Sequence, residues 1–188
     1  MGGESKKKFL REDLLFSLCG LNCGLCPMQA GGYCPGCGGG AGNQPCRFAR
    51  CAQSRGVAYC FACQAYPCEK YAGFDEYDSF LSHQRRERNI RAAQEAGLEA
   101  YQALQREKKE LLGYLLDHCN DGRRKSFYCL ALELLEWEAV CSAIDRAALS
   151  QLPDSRSRAA QAAEALRRAA ERSGVELKLR RKKKPKEA

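Results

Sequence analysis

The chain has 188 residues, 13 of them cysteine, and a formal net charge of +8. A disulfide-stapled secreted domain fits poorly: an odd number of thiols cannot all pair, and the N-terminal stretch runs through three lysines into Arg11, Glu12 and Asp13 without an apolar signal core. No apolar run reaches the roughly 20 residues of a membrane helix. The best candidate, Leu130 to Val140, is interrupted by Glu133, Glu136 and Glu138, so a soluble cytoplasmic protein is expected.

In chain order, a short helix is expected over Leu10 to Leu18, leading into Cys19. Ten cysteines then fall between Cys19 and Cys68, as Cys19-x3-Cys23-x2-Cys26, Cys34-x2-Cys37, Cys46-x4-Cys51 and Cys60-x2-Cys63-x4-Cys68. A Cys-x2-Cys turn curls the backbone so that two thiolates can reach one ion. The segment from Ala30 to Asn43, rich in Gly, Pro and Cys, offers little apolar surface to bury, so bound metal would take the place of a hydrophobic core.

Cys34-Pro35-Gly36-Cys37-Gly38 has the form of a zinc knuckle. Joined to Cys60 and Cys63 it makes a zinc ribbon-like Cys-x2-Cys-x22-Cys-x2-Cys array. Joined instead to Cys46 and Cys51, it leaves Cys60, Cys63 and Cys68 to complete a site with the N-terminal cysteines. Spacing does not choose between these connectivities; two zinc ions on eight of the ten thiolates is the simplest stoichiometry. The Cys19-x3-Cys23-x2-Cys26 spacing also holds four-iron clusters in radical enzymes, but those need a barrel of alternating strands and helices downstream, whereas this chain continues with more cysteines and then helices. Prolines beside Cys26, Cys34 and Cys68 keep a simpler iron-sulfur redox or sensor protein as the alternative.

After Phe74 the composition turns to Ala, Leu, Glu, Gln and Arg, all good helix formers. One helix is expected from about Glu76 to Ala96, stopping at Gly97, and a second from Leu98 to Cys119 with Tyr101, Leu104, Leu111, Leu112, Leu115 and Cys119 on one stripe. A turn at Asn120-Asp121-Gly122 precedes a third, capped by Ser126 and burying Phe127, Leu130, Leu134, Trp137 and Cys141. Tyr128 and Trp137 read as core aromatics, and Glu107, Glu110, Glu133 and Glu136 as solvated faces. Ser155 to Glu171 is helical by propensity but presents mainly Ala and one Leu, which predicts shallow packing. The expected fold class is mainly α: a cysteine-rich, loop-rich metal-binding module with a leading helix (1–74), packed on a small helical bundle (75–152), followed by a weakly packed helix and basic tail (153–188).

Lysine and arginine exceed aspartate and glutamate by only 19 to 18 before residue 153, but by 12 to 5 after it. The run Leu179-Arg180-Arg181-Lys182-Lys183-Lys184-Pro185-Lys186 reads as a flexible polycation, so a nucleic-acid accessory factor is a further alternative, although no aromatic residue is interleaved to stack on bases. Arg123, Arg124, Lys125 and Ser126 at a helix start are candidates for binding a phosphate or carboxylate. Cys129, near those cations, is expected to have a lowered thiol pKa suited to a reactive thiol or an extra ligand; a small buried side chain is the other reading. His83 and His118 stand on predicted helices without serine or metal-ligand partners, so no catalytic residue is assigned and binding is favoured over catalysis. The partners expected are a protein or a small anionic ligand, with nucleic acid reaching the tail.

The motifs Cys19-Gly-Leu-Asn-Cys-Gly-Leu-Cys-Pro27, Cys34-Pro-Gly-Cys37, Cys46-x4-Cys51 and Cys60-Phe-Ala-Cys-Gln-Ala-Tyr-Pro-Cys68 resemble domain of unknown function 3795, a microbial cysteine-rich family. Asp121-Gly-Arg-Arg-Lys-Ser-Phe-Tyr-Cys129 resembles the second motif of its longer members. The resemblance implies a prokaryotic cytosolic protein that binds metal through those ten cysteines, and it supplies no activity.

Overall fold

Leucine and alanine at helical spacing build most of this molecule. The computed structural model describes residues 10–40 and 46–182, in which seven α-helices form and the only β pairing is an isolated bridge between Leu10 and Gly39. The helices are α1 (Pro27–Ala30), α2 (Arg47–Arg55), α3 (Arg86–Glu95), α4 (Leu98–His118), α5 (Lys125–Leu134), α6 (Trp137–Arg146) and α7 (Ser155–Arg172). The fold is mainly helical, as the composition predicts.

Gly97, at φ +86°, makes the sharp turn between α3 and α4, a conformation that costs a residue without Cβ little. α4 ends one residue before the expected Cys119. Its buried face holds Tyr101, Leu112 and Leu115, but also Gln105 and Lys108, so the stripe is partly polar. α5 and α6 replace the single helix expected there: Leu135 and Glu136 take extended dihedrals and break it. α5 buries Tyr128, Cys129, Ala131, Leu132, Glu133 and Leu134, whereas Phe127, Leu130, Trp137 and Cys141 are only half-buried. The leucines surround this helix too evenly for periodicity to select a face.

α7 corrects the expectation of shallow packing. Ala159, Ala162, Ala163 and Leu166 have no exposed surface, and Ala162, Leu166, Ala169 and Ala170 join the main core with Leu112, Leu115, Leu132, Leu135 and Val140. Small side chains let the helix axes approach, so alanine here marks close contact rather than a weak one. Leu25, from the cysteine-rich half, is 1 % exposed and belongs to the same core.

Leu10 to Leu18 is not helical. It runs as irregular chain, because its apolar residues serve different places: Phe16 stacks on Tyr59 and meets Tyr101 edge to face, while Leu18 packs with Phe48 and the cysteines. Residues 76–85 also stay outside α3, in turns held by Asp78, which accepts the His83 amide at 2.8 Å. The start of the basic tail is likewise not free. Residues 175–182 lie back across the body, with Asp78 and Arg180 exchanging backbone and side-chain hydrogen bonds at 2.8–3.1 Å and Arg181 donating to the Ser79 carbonyl at 3.0 Å. Lys183, Lys184, Pro185 and Lys186 lie outside the described residues.

Candidate metal centre

Short loops place the thiols. The Ser17 amide donates to the Leu21 carbonyl and the Leu21 amide to the Ser17 hydroxyl, both at 2.8 Å, closing a tight turn around Cys19. Gly20 in that turn has φ +97°, and a Cβ there would lie 2.6 Å from Ile90 of α3. Cys37 sits between Gly36 and Gly38, both at positive φ, and the Cys60 amide donates to the Leu18 carbonyl at 2.8 Å. These ties bring residues 17–21, Cys60 and α3 together from stretches far apart in sequence.

Cys19, Cys23, Cys37 and Cys46 lie close enough that Cys37 and Cys46 raise the pKa of Cys19, and Cys37 and Cys19, with Cys26, that of Cys23. Burial is the larger cause: it pushes Cys19 up to about 12, holds Cys23 well above its ordinary value, and raises Cys37. The Cys37 amide donates to the Cys23 sulfur and the Leu18 amide to that of Cys37, contacts that favour thiolate. Ser17 Oγ and Cys19 Sγ are 3.2 Å apart.

A second group, Cys51, Cys60, Cys63 and Cys68, lines a cavity of about 240 Å³ beside Phe48 and Tyr71. Arg55 of α2 reaches into this group, its guanidinium 3.6 Å from Cys63 Sγ. Tyr71 links the two groups: its hydroxyl bonds the Cys60 thiol and lies 3.5 Å from the Cys19 carbonyl. Arg86, 2 % exposed, stacks 4.3 Å from the Tyr71 ring centroid and is clamped by Asp75 at 2.6–2.8 Å. Cys26 lies near Cys129 and Lys109 as well as Cys23, and the Cys34 amide is held by the Met28 carbonyl at 3.2 Å. All 13 cysteines are free thiols. Among the described residues, no three His, Cys, Asp or Glu side chains converge as placed tightly enough to hold one ion. The donor chemistry nevertheless suits a thiolate-seeking metal: sulfur-only groups, partly buried, with amide and cationic hydrogen-bond donors around them.

Residues 28–73 match the family model described as a protein of unknown function, DUF3795. The resemblance read from the cysteine motifs holds over that stretch. Cys19, Cys23, Cys26 and the Asp121–Cys129 motif lie outside the DUF3795 match. No curated protein and no solved structure matches the chain.

Away from the DUF3795 segment, the anion-binding candidates separate. Arg124 pairs with Asp121 at 3.1 Å, Arg123 is exposed, and Lys125 lies 5.6 Å from the Tyr33 ring centroid. Ser126 is inside α5 rather than its cap; Asn120 and Asp121 side chains instead accept the amides of Gly122, Arg123 and Arg124. Cys129 corrects the expectation of a lowered pKa. It is 1 % exposed, and burial, with Cys26 adding to it, pushes the thiol up to about 12 against the opposing pull of Lys109 and Lys125. His83 is buried, bonded to the Phe74 carbonyl at 2.9 Å and Ser79 Oγ at 3.0 Å, while His118 is exposed.

Glu133, expected on a solvated face, is 1 % exposed and accepts Asn22 Nδ2 at 2.9 Å and Asn89 Nδ2 at 3.1 Å. Asn22 lies between Cys19 and Cys23 and also accepts the Tyr101 hydroxyl at 3.0 Å, so a buried polar network ties the cysteine loop to α3, α4 and α5. The sequence signal for it was a lone carboxylate within the apolar run Leu130–Leu135.

Proposed function

We propose that the protein is a cytoplasmic zinc-binding module in which Cys19, Cys23, Cys37 and Cys46 hold one ion and Cys51, Cys60, Cys63 and Cys68 a second, leaving Cys26 and Cys34 outside both shells. The observation that carries this reading is the gathering of eight thiols from distant stretches into two neighbouring groups bridged by Tyr71. Burial and neighbouring thiols raise Cys19, Cys23, Cys37 and Cys60, so these hold their protons until a cation compensates, and a bound metal ion inverts that balance. Zinc held by four thiolates has no open position, so its contribution is to fix loops that lack an apolar core of their own. The protein then acts by presenting a surface to a partner and not by chemistry at the ion.

Metal and acid-labile sulfide analysis of protein purified without oxygen, from cells supplied with iron and zinc, tests the reading. The expected result is close to two zinc per chain with no sulfide. Iron with matching sulfide would replace zinc by iron-sulfur clusters on the same thiols, and neither metal would overturn the metal-binding reading. Zinc uptake should release protons and tighten between about pH 6 and pH 8, because thiolates are the ligands.

A further inference from the structure

A cavity of about 280 Å³ opens between α1, the start of α5 and the C-terminal strap, with Cys129 in its lining. Leu25, Met28, Leu81 and Leu130 form much of its wall. Its rim carries two of the most exposed aromatic side chains in the described structure, Tyr33 at 75 % and Phe80 at 62 %. Exposed aromatics flanking one apolar hollow mark a binding site rather than ordinary surface scatter.

The charged lining has one sign. Lys125 and Arg181 both line the cavity, and no Asp or Glu does. Among the described residues neither cation is paired with a carboxylate: Lys125 rests over Tyr33, and Arg181 donates to the Ser79 carbonyl. Gly31 permits the first arrangement, since a Cβ there would lie 2.6 Å from Lys125 Nζ and 2.9 Å from the Tyr33 ring. Two cations that pair with no carboxylate among the described residues, both lining an apolar hollow, call for a ligand with one anionic end. A phosphate, doubly charged and without an apolar body, would leave the hydrocarbon wall unmatched.

We propose that this cavity binds a small aromatic or short-chain carboxylate, with its carboxylate at Lys125 and Arg181 and its apolar body against Leu25, Met28, Leu81 and Leu130. The volume lies just below the range of about 300–1,000 Å³ common for small-molecule sites, which limits the ligand to a single ring or a short chain. This site does not depend on the zinc reading.

Calorimetric titration of the full chain with phenylacetate, hexanoate, phenylacetamide and inorganic phosphate tests it. Saturable binding of phenylacetate or hexanoate is expected, with phenylacetamide weaker by on the order of tenfold because it lacks the charge. Lys125→Met should weaken the acid by a similar factor and leave the amide unchanged, and Tyr33→Ala should weaken both; unchanged thermal melting would exclude misfolding as the cause. The proposal fails if neither acid binds, if acid and amide bind equally, if phosphate binds as well as the acids, or if Lys125→Met has no effect on a correctly folded protein.

Discussion

Glu133 shows how much one residue can organise here. Its carboxylate takes hydrogen bonds from two asparagines on different stretches of chain, and Lys108, also buried, lies near enough to lower its pKa. Burial outweighs those contacts and leaves the Glu133 pKa raised from its ordinary 4.5. The folded state therefore binds this proton more tightly than the unfolded one, and the group's contribution to stability falls as pH rises from about 4.5 through the raised folded value. Denaturant unfolding across that window should show the fall in the native protein and a flatter profile in Glu133→Gln. Glu133→Ala should cost about 3 kcal/mol near neutral pH, because Asn22 and Asn89 lose their common acceptor while still buried and Lys108, which donates to the Leu132 carbonyl at 3.2 Å, loses the nearby carboxylate. A cost under about 0.5 kcal/mol would mean that the network contributes no more than an ordinary surface position. Sequence reading missed this residue because period and propensity treat glutamate as surface, and only three-dimensional contact supplies the donors that permit its burial.

Among the elements, α4 was the most legible and α7 the most misjudged. α4 is long, strongly periodic and bounded by a glycine turn, so local rules agree with one another along its length. The ten cysteines were equally plain in the sequence, but which thiols become neighbours depends on loop closures such as Cys60 to Leu18, invisible to spacing. α2 went unread because a helix with Phe48, Ala49 and Ala52 on its inner face lay inside a module expected to be loop-rich, where the cysteine spacing drew the reading. For α7, alanine was read as weakness when it permits close helix contact. Leu166→Ala should therefore destabilise by about 2–5 kcal/mol in chemical denaturation, a core value that a shallow surface helix would not show. Asp154 caps α7 by accepting the Ser157 amide at 2.9 Å and its hydroxyl at 2.8 Å. Asp154→Ala should lower stability by about 1 kcal/mol, and little change in the unfolding midpoint would show that the cap is redundant.

At the scale of the whole molecule, the C-terminal strap joins the far end of the chain to the turns before α3. Burial acts to raise the Asp78 pKa, but hydrogen bonds from the His83 amide and from the Arg180 amide and guanidinium outweigh it and hold the group below its ordinary 3.8. A depressed folded pKa contributes stability above that ordinary value, lost as pH falls through the folded one, so the strap should loosen only in strong acid. Asp78→Asn should release it at neutral pH. Trypsin cleavage after Arg180 and Arg181 would then quicken several-fold while α7 stays protected; an unchanged digestion rate would show that Asp78 does not hold the strap.

Leu25 has a consequence of its own. Two residues past Cys23 in the chain, it is sealed inside the bundle with α4, α5 and α7. The cysteine segment is thus no detachable cartridge that could be cut at residue 74 and moved to another scaffold. Any ligand that steadies the thiols also steadies the bundle, and by thermodynamic reciprocity any change in the bundle's packing retunes how tightly the thiols hold their ligand.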